Sequence, residues 1–96
     1  MAFEWDENKR LSNLEKHSID FQDAELFFES NPICFKDCRK NYGEERFVAF
    51  GTIEGRLIIT AYTNREGTLR IISMRKANAR ERRLYEHYLQ DRLEKS

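Results

Sequence analysis

Proline occurs once in this chain, at Pro32, and glycine only four times. There are no internal repeats and no low-complexity tract, so nothing reads as a flexible linker or a fibrous segment. Cysteine is nearly as scarce. Cys34 and Cys38 form a lone C-x-x-x-C pair without a second ligand pair, and His17 and His87 stand 70 residues apart. Such a set assembles no zinc site, and the two thiols read as ordinary reduced cysteines on or beside a strand. Long apolar runs are missing as well; none approaches the ~20 residues that span a bilayer. The opening Met-Ala-Phe-Glu-Trp-Asp is acidic where a signal peptide would be basic. A cytoplasmic protein without membrane contact is expected. Nor is there a surplus of one charge, since 17 bases balance 17 acids.

What is present is enough for one globular domain over residues 1–96, with 40% apolar and 12% aromatic residues. The charge is unevenly spread. Residues 1–31 carry three bases against eight acids, a net −5, whereas residues 64–83 carry seven bases against two acids, a net +5. That asymmetry fits contact with nucleic acid, and equally a solvated basic face beside an acidic one.

The organising stretch runs from Glu45 to Arg83. Three apolar, β-branched and aromatic runs are separated by Glu54-Gly55 and by Asn64-Arg65-Glu66-Gly67, the pattern of an antiparallel meander with tight turns. Its strands are apolar on both parities, so the sheet is expected to be covered on both faces. Ile33-Cys34-Phe35 reads as a first strand, and Asp37 to Gly43 as a turn or loop. Phe3-Glu4-Trp5 alternates as a short edge strand does. Trp5 is either a base-stacking residue or core.

Asp6 caps a predicted helix over about Glu7 to His17, and Asp20 caps a second whose apolar face runs from Phe21 to Phe28. Asn78 caps a third from about Ala79 to Leu93, with Leu84, Tyr85, Tyr88, Leu89 and Leu93 on one stripe. The expected fold is α+β: two N-terminal helices, a mainly antiparallel four-stranded sheet and one C-terminal helix.

Phe3-Glu4-Trp5-Asp6, Lys9, Asn13, Lys16-His17, Ile19 and Phe21 resemble the opening of the BrnT-type toxins, the ribonuclease halves of BrnT/BrnA toxin–antitoxin pairs. The resemblance continues through Glu45-Arg46-Phe47, Tyr62-Thr63, Arg65 and Arg70 to Ala77, then Arg80-Glu81-Arg82. One departure is Ser18, where the family usually has a glycine suited to a left-handed turn. The resemblance implies a RelE-like fold and metal-independent RNA cleavage that inhibits translation. It also implies neutralisation by a BrnA-like antitoxin and contact with operator DNA only through that complex. Homodimerisation within the complex is left open.

Cutting RNA without a metal or other cofactor requires a base for the 2′-OH, cations for the pentacovalent phosphorane and an acid for the leaving 5′-oxygen. Arginine suits the middle role because its guanidinium stays charged and binds two phosphate oxygens at once. Arg46, Arg65 and Arg75, at or near strand ends, are the candidates; surface ion pairs with Glu44, Glu45 and Glu66 are the competing reading. His17 is a proton-transfer candidate and Lys16 either a catalyst or a phosphate contact. Arg70, Ser73, Lys76 and Arg80 are expected to bind the RNA backbone, each cation steepening the salt dependence of binding. Two other roles fit the same residues: a non-catalytic nucleic-acid-binding module, and a sheet face that only docks a partner.

Overall fold

The computed structural model describes residues 1–39 and 41–95. In chain order the elements are β1 (Ala2–Trp5), α1 (Glu7–His17), a 3₁₀ turn (Phe21–Asp23), α2 (Ala24–Glu29), β2 (Ile33–Asp37), β3 (Arg46–Ile53), β4 (Arg56–Arg65), β5 (Thr68–Lys76) and α3 (Ala79–Lys95). The α+β class is as expected, but the sheet has five strands rather than four, in the order β1-β5-β4-β3-β2. The added strand, β1, lies parallel to β5, pairing Ala2–Trp5 with Thr68–Ile71 and making the sheet mixed. Three alternating residues, Phe3-Glu4-Trp5, reveal an extended segment; they say nothing of a partner more than 60 positions away. The second helix also differs, beginning as the 3₁₀ turn capped by Asp20 before α2 starts.

Both β3–β4 and β4–β5 close with a two-residue Glu-Gly loop in which both residues have positive φ: Glu54 and Gly55, Glu66 and Gly67. Such turns carry the right-handed twist of the flanking strands. The second turn is braced by Asn64, whose Oδ1 accepts from the Gly67 N–H at 2.9 Å.

The helices α1 and α2 and the turn between them cover one face of the sheet. Phe21, Phe27, Ile71 and Met74 are fully buried there, with Trp5 edge-on to Phe21 at 6.3 Å. Trp5 is therefore packing material. At Gly51 a Cβ would meet Pro32 Cβ and Ser30 Oγ at 2.9 Å each, so this glycine lets the end of α2 approach β3. The opposite face carries a smaller cluster of Phe50, Ile59 and Ala77, flanked by Phe35, Val48, Leu57 and Tyr85. There α3 docks only in part: Tyr88 meets Phe35 at 4.9 Å, Arg92 donates to the Asn31 and Pro32 carbonyls, and no described residue of α3 is fully buried.

One polar side chain fixes α1 against the sheet. The pairing of β1 with β5 ends at Ile71, and beyond it the buried Asn13 takes the place of a neighbouring strand. Its amide accepts from the Met74 N–H at 3.2 Å and donates to the Met74 carbonyl at 2.8 Å and the Ile19 carbonyl at 3.0 Å. Arg10 adds a tie from α1 to Asp20 at 3.0 Å.

Two stability predictions follow from local geometry. Ser18 closes α1 in the left-handed region at φ 58°, donating to the Leu14 carbonyl. Ser18→Gly relieves the Cβ crowding and should raise stability by about 0.5–1 kcal/mol; an unchanged Tm sinks the strain argument. Asn13→Ala strands the Met74 peptide groups and should cost about 2–3 kcal/mol in urea unfolding, a loss well below 1 kcal/mol counting against the clamp.

Candidate functional site

Side chains alternate along a strand, so register decides which arginines share a face. Pairing of Asp37 with Arg46, Val48 with Ala61 and Phe50 with Ile59 puts Arg46, Val48 and Phe50 on the α3 side, together with Ile59, Ala61, Thr63 and Arg65. On β5, Arg75 pairs with Ile59 and Ser73 with Ala61, joining that side. Arg70 would fall on the opposite side in a regular strand, being an odd number of residues from both. A β-bulge next to Ala61 and Tyr62 leaves Ile72 without an opposite number and pairs Arg70 with Thr63. The bulge thus re-aims β5, so that Arg70, Ser73 and Arg75 share one face.

On this face lies an open cleft of about 360 Å³. Val48, Phe50, Ile59 and Ala61 form an apolar floor; Ser73, Asp37 and two guanidinium groups, Arg39 and Arg75, supply its polar rim. Each guanidinium is held by a carboxylate. Arg75 donates from Nη1 and Nη2 to the two oxygens of Glu81, both at 2.7 Å. Glu81 sits in the first turn of α3 and exchanges capping hydrogen bonds with Asn78 at 2.8 and 3.0 Å. The same carboxylate therefore starts the helix and aims the arginine. Arg39 donates to the nearly buried Asp37, which also accepts from the Tyr42 hydroxyl at 3.2 Å.

These contacts set the ionisation. Hydrogen bonds from the Arg39 side chain and backbone hold the Asp37 carboxyl far below the usual carboxylate range, despite its burial. Hydrogen bonds to Glu81 raise the Arg75 pKa, against burial and the nearby Arg39 charge. Glu81 is lowered from its ordinary 4.5, first by Arg75. The carboxylates stay ionised at neutral pH, which suits anchors better than proton acceptors.

The sequence-predicted residues divide by position. Arg75 and Ser73 line the cleft. Ser73 also borders an adjoining groove of about 210 Å³ with Lys9, Ser12, Lys16 and His17, so the two proton-transfer candidates stand across β5 from the cleft. Arg46 stays outside the cleft lining, its guanidinium carbon 4.0 Å above the Tyr42 ring. Its Nε is buried without a hydrogen-bond partner among the described residues. Arg65, the last residue of β4 rather than one beyond it, pairs with Glu44 at 3.4 Å, and Arg70 with Glu4 at 3.8 Å. Lys76 lines a separate small cavity with Arg56 and Arg82, and Arg80 is an exposed residue of α3 outside the cleft lining. The cleft thus takes in Arg75 but neither Arg46 nor Arg65. Sequence reasoning misses Arg39, which follows β2 in a stretch legible only as loop, and Glu81, which the sequence shows only as an acid beside several arginines.

The lowered Glu81 pKa stabilises the fold above about pH 4.5, and that contribution disappears as pH falls through the folded-state value. Glu81→Gln should therefore be less stable than the parent by about 1 kcal/mol at pH 7, with the gap narrowing as pH falls below about 4.5. A gap that persists there contradicts the ionic origin.

Among curated proteins, none matches the chain. A family model described as "Ribonuclease toxin, BrnT, of type II toxin-antitoxin system" matches residues 5–81, from Trp5 through the whole meander to the carboxylate that holds Arg75. The span takes in α1 and every lining residue of the groove and the cleft, and by it the chain belongs to the BrnT family of ribonuclease toxins.

Proposed function

We propose that this chain is an endoribonuclease toxin that cuts RNA by attack of a 2′-OH on the adjacent phosphorus, inhibits translation, and needs no metal. Family membership supports the RNA substrate and an antitoxin partner. The observation that carries the site is the cleft whose lining brings Arg39, Arg75 and Ser73 together with Val48, Phe50, Ile59 and Ala61.

In this reading the scissile phosphate sits between the two guanidinium groups. They lie ready-charged where negative charge grows on the non-bridging oxygens of the phosphorane, and the Ser73 hydroxyl donates to one of those oxygens. The apolar floor takes the face of a neighbouring base. The 2′-oxygen forms its bond to phosphorus as the bond to the 5′-oxygen breaks. One proton leaves the 2′-OH and one arrives at the 5′-oxygen, leaving a 2′,3′-cyclic phosphate and a 5′-OH. His17 is the group assigned to that proton traffic, from the groove that meets the cleft at Ser73, with Lys16 beside it as a phosphate contact. Arg46, Arg65 and Arg70, further along the same face, hold the RNA backbone. DNA, without a 2′-OH, is not cut. A BrnA-like antitoxin silences the enzyme by covering the cleft arginines, and operator DNA is met only through that complex.

Arg75→Ala should lower RNA cleavage about 100-fold or more, the scale of losing one preorganised donor to a charged transition state. Wild-type products should carry cyclic phosphate ends in the presence of EDTA. Intact RNA under those conditions, or undiminished cleavage by Arg75→Ala, removes the basis of the proposal.

A further inference from the structure

The groove beside the cleft has a chemistry of its own. Lys9, Ser12 and Lys16 are spaced by three and four residues, which puts them on one stripe of α1. With His17 and Ser73 they line a depression in which no carboxylate takes part among the described residues. The first 31 residues carry a net −5, and some basic side chains are paired with acids, as Lys36 is with Glu45 and Lys95 with Asp91. On α1 itself Arg10 is taken up by Glu7 and Asp20. Lys9 and Lys16, by contrast, make no ion pair among the described residues, although acids abound on the same elements. Two exposed ammonium groups thus face a groove whose polar partners are hydroxyls and an imidazole.

The groove is also built on a fixed wall. Asn13, in the same stretch of α1, is clamped to Met74, next in sequence to Ser73. Lys9 and Lys16 are seven residues apart, about 10 Å along the helix. That length is about three nucleotide steps at the ~3.4 Å per-strand rise of stacked nucleic acid. Ser73 borders both depressions, so the two meet at β5.

We infer that the α1 groove is a second backbone subsite, in which Lys9 and Lys16, with the Ser12 hydroxyl, bind phosphates of a single-stranded RNA flanking the one held in the cleft. The inference rests on the nuclease reading for its ligand, and its test does not depend on cleavage. A ten-nucleotide DNA strand shares the phosphates and cannot be cut by the 2′-OH route. Its affinity is measured by fluorescence anisotropy across a salt series, beside a dinucleotide followed by NMR shift titration. Lys9→Ala should weaken the ten-nucleotide strand about threefold or more and reduce the salt slope by about 0.7, while leaving dinucleotide binding unchanged. The Lys9→Ala/Lys16→Ala pair should reduce the slope by about 1.4. Equal affinity and slope for wild type and Lys9→Ala overturns the subsite, as does an equal loss of dinucleotide binding. Unchanged strand binding beside weakened capture of the antitoxin would assign the groove to an acidic protein segment and also overturns it. The expected binding loss in a protein that leaves RNA intact would uphold the groove and sink the nuclease reading alone.

Discussion

The amide of Asn13 is the contact on which the functional face depends. A short β1 leaves the outer edge of β5 without a strand beyond Ile71, and a bare edge would leave peptide groups unpaired. Asn13 supplies a donor and an acceptor to the Met74 peptide groups, as a strand would, but from a helix. The consequence reaches further than satisfied hydrogen bonds. It sets α1 beside β5 in the register that puts Lys9, Ser12, Lys16 and His17 next to Ile72 and Ser73. Because Asn13 is buried, the clamp operates where water competes poorly for its partners.

A second constraint works on the other side of the sheet. Arg39 and Arg75 would repel one another if left bare in the cleft, and each is instead fixed by its own carboxylate. The pairs hold the guanidinium groups in place before any ligand arrives, at the cost of partial neutralisation. An incoming phosphate therefore meets aligned donors, and only those directions of each guanidinium not spent on Asp37 or Glu81 are open to it. Since Glu81 also caps α3, the orientation of Arg75 is coupled to the start of that helix. The rest of α3 is lightly held, by Tyr85, Tyr88 and Arg92.

Much of the local structure was legible in the sequence. Asp6, Asp20 and Asn78 were readable as caps because their side chains compete for the backbone in a way helix interiors do not allow. The meander was readable from runs broken at Glu-Gly pairs, and the helix at 7–17 from its cap and its end. The functional face was less so. Arg75 and Ser73 could be singled out, yet Arg39 could not, because loop residues take their positions from contacts rather than from a period. Arg46 and Arg65 lie outside the lining of the cleft that holds Arg75, because being at strand ends fixes position along a strand, not distance across a sheet.

The sequence by itself determined the class of fold, the number and bounds of most elements and the resemblance to a ribonuclease toxin family, since each rests on local preference or on residue identity in order. Only the tertiary structure decided that β1 joins β5 in parallel, that a bulge turns Arg70 to the side of Arg75, and that Lys16 and His17 stand across Ser73 from the cleft. These depend on which backbone groups find partners far along the chain. A single unpaired residue, Ile72, is enough to send every side chain beyond it to the opposite face of the sheet.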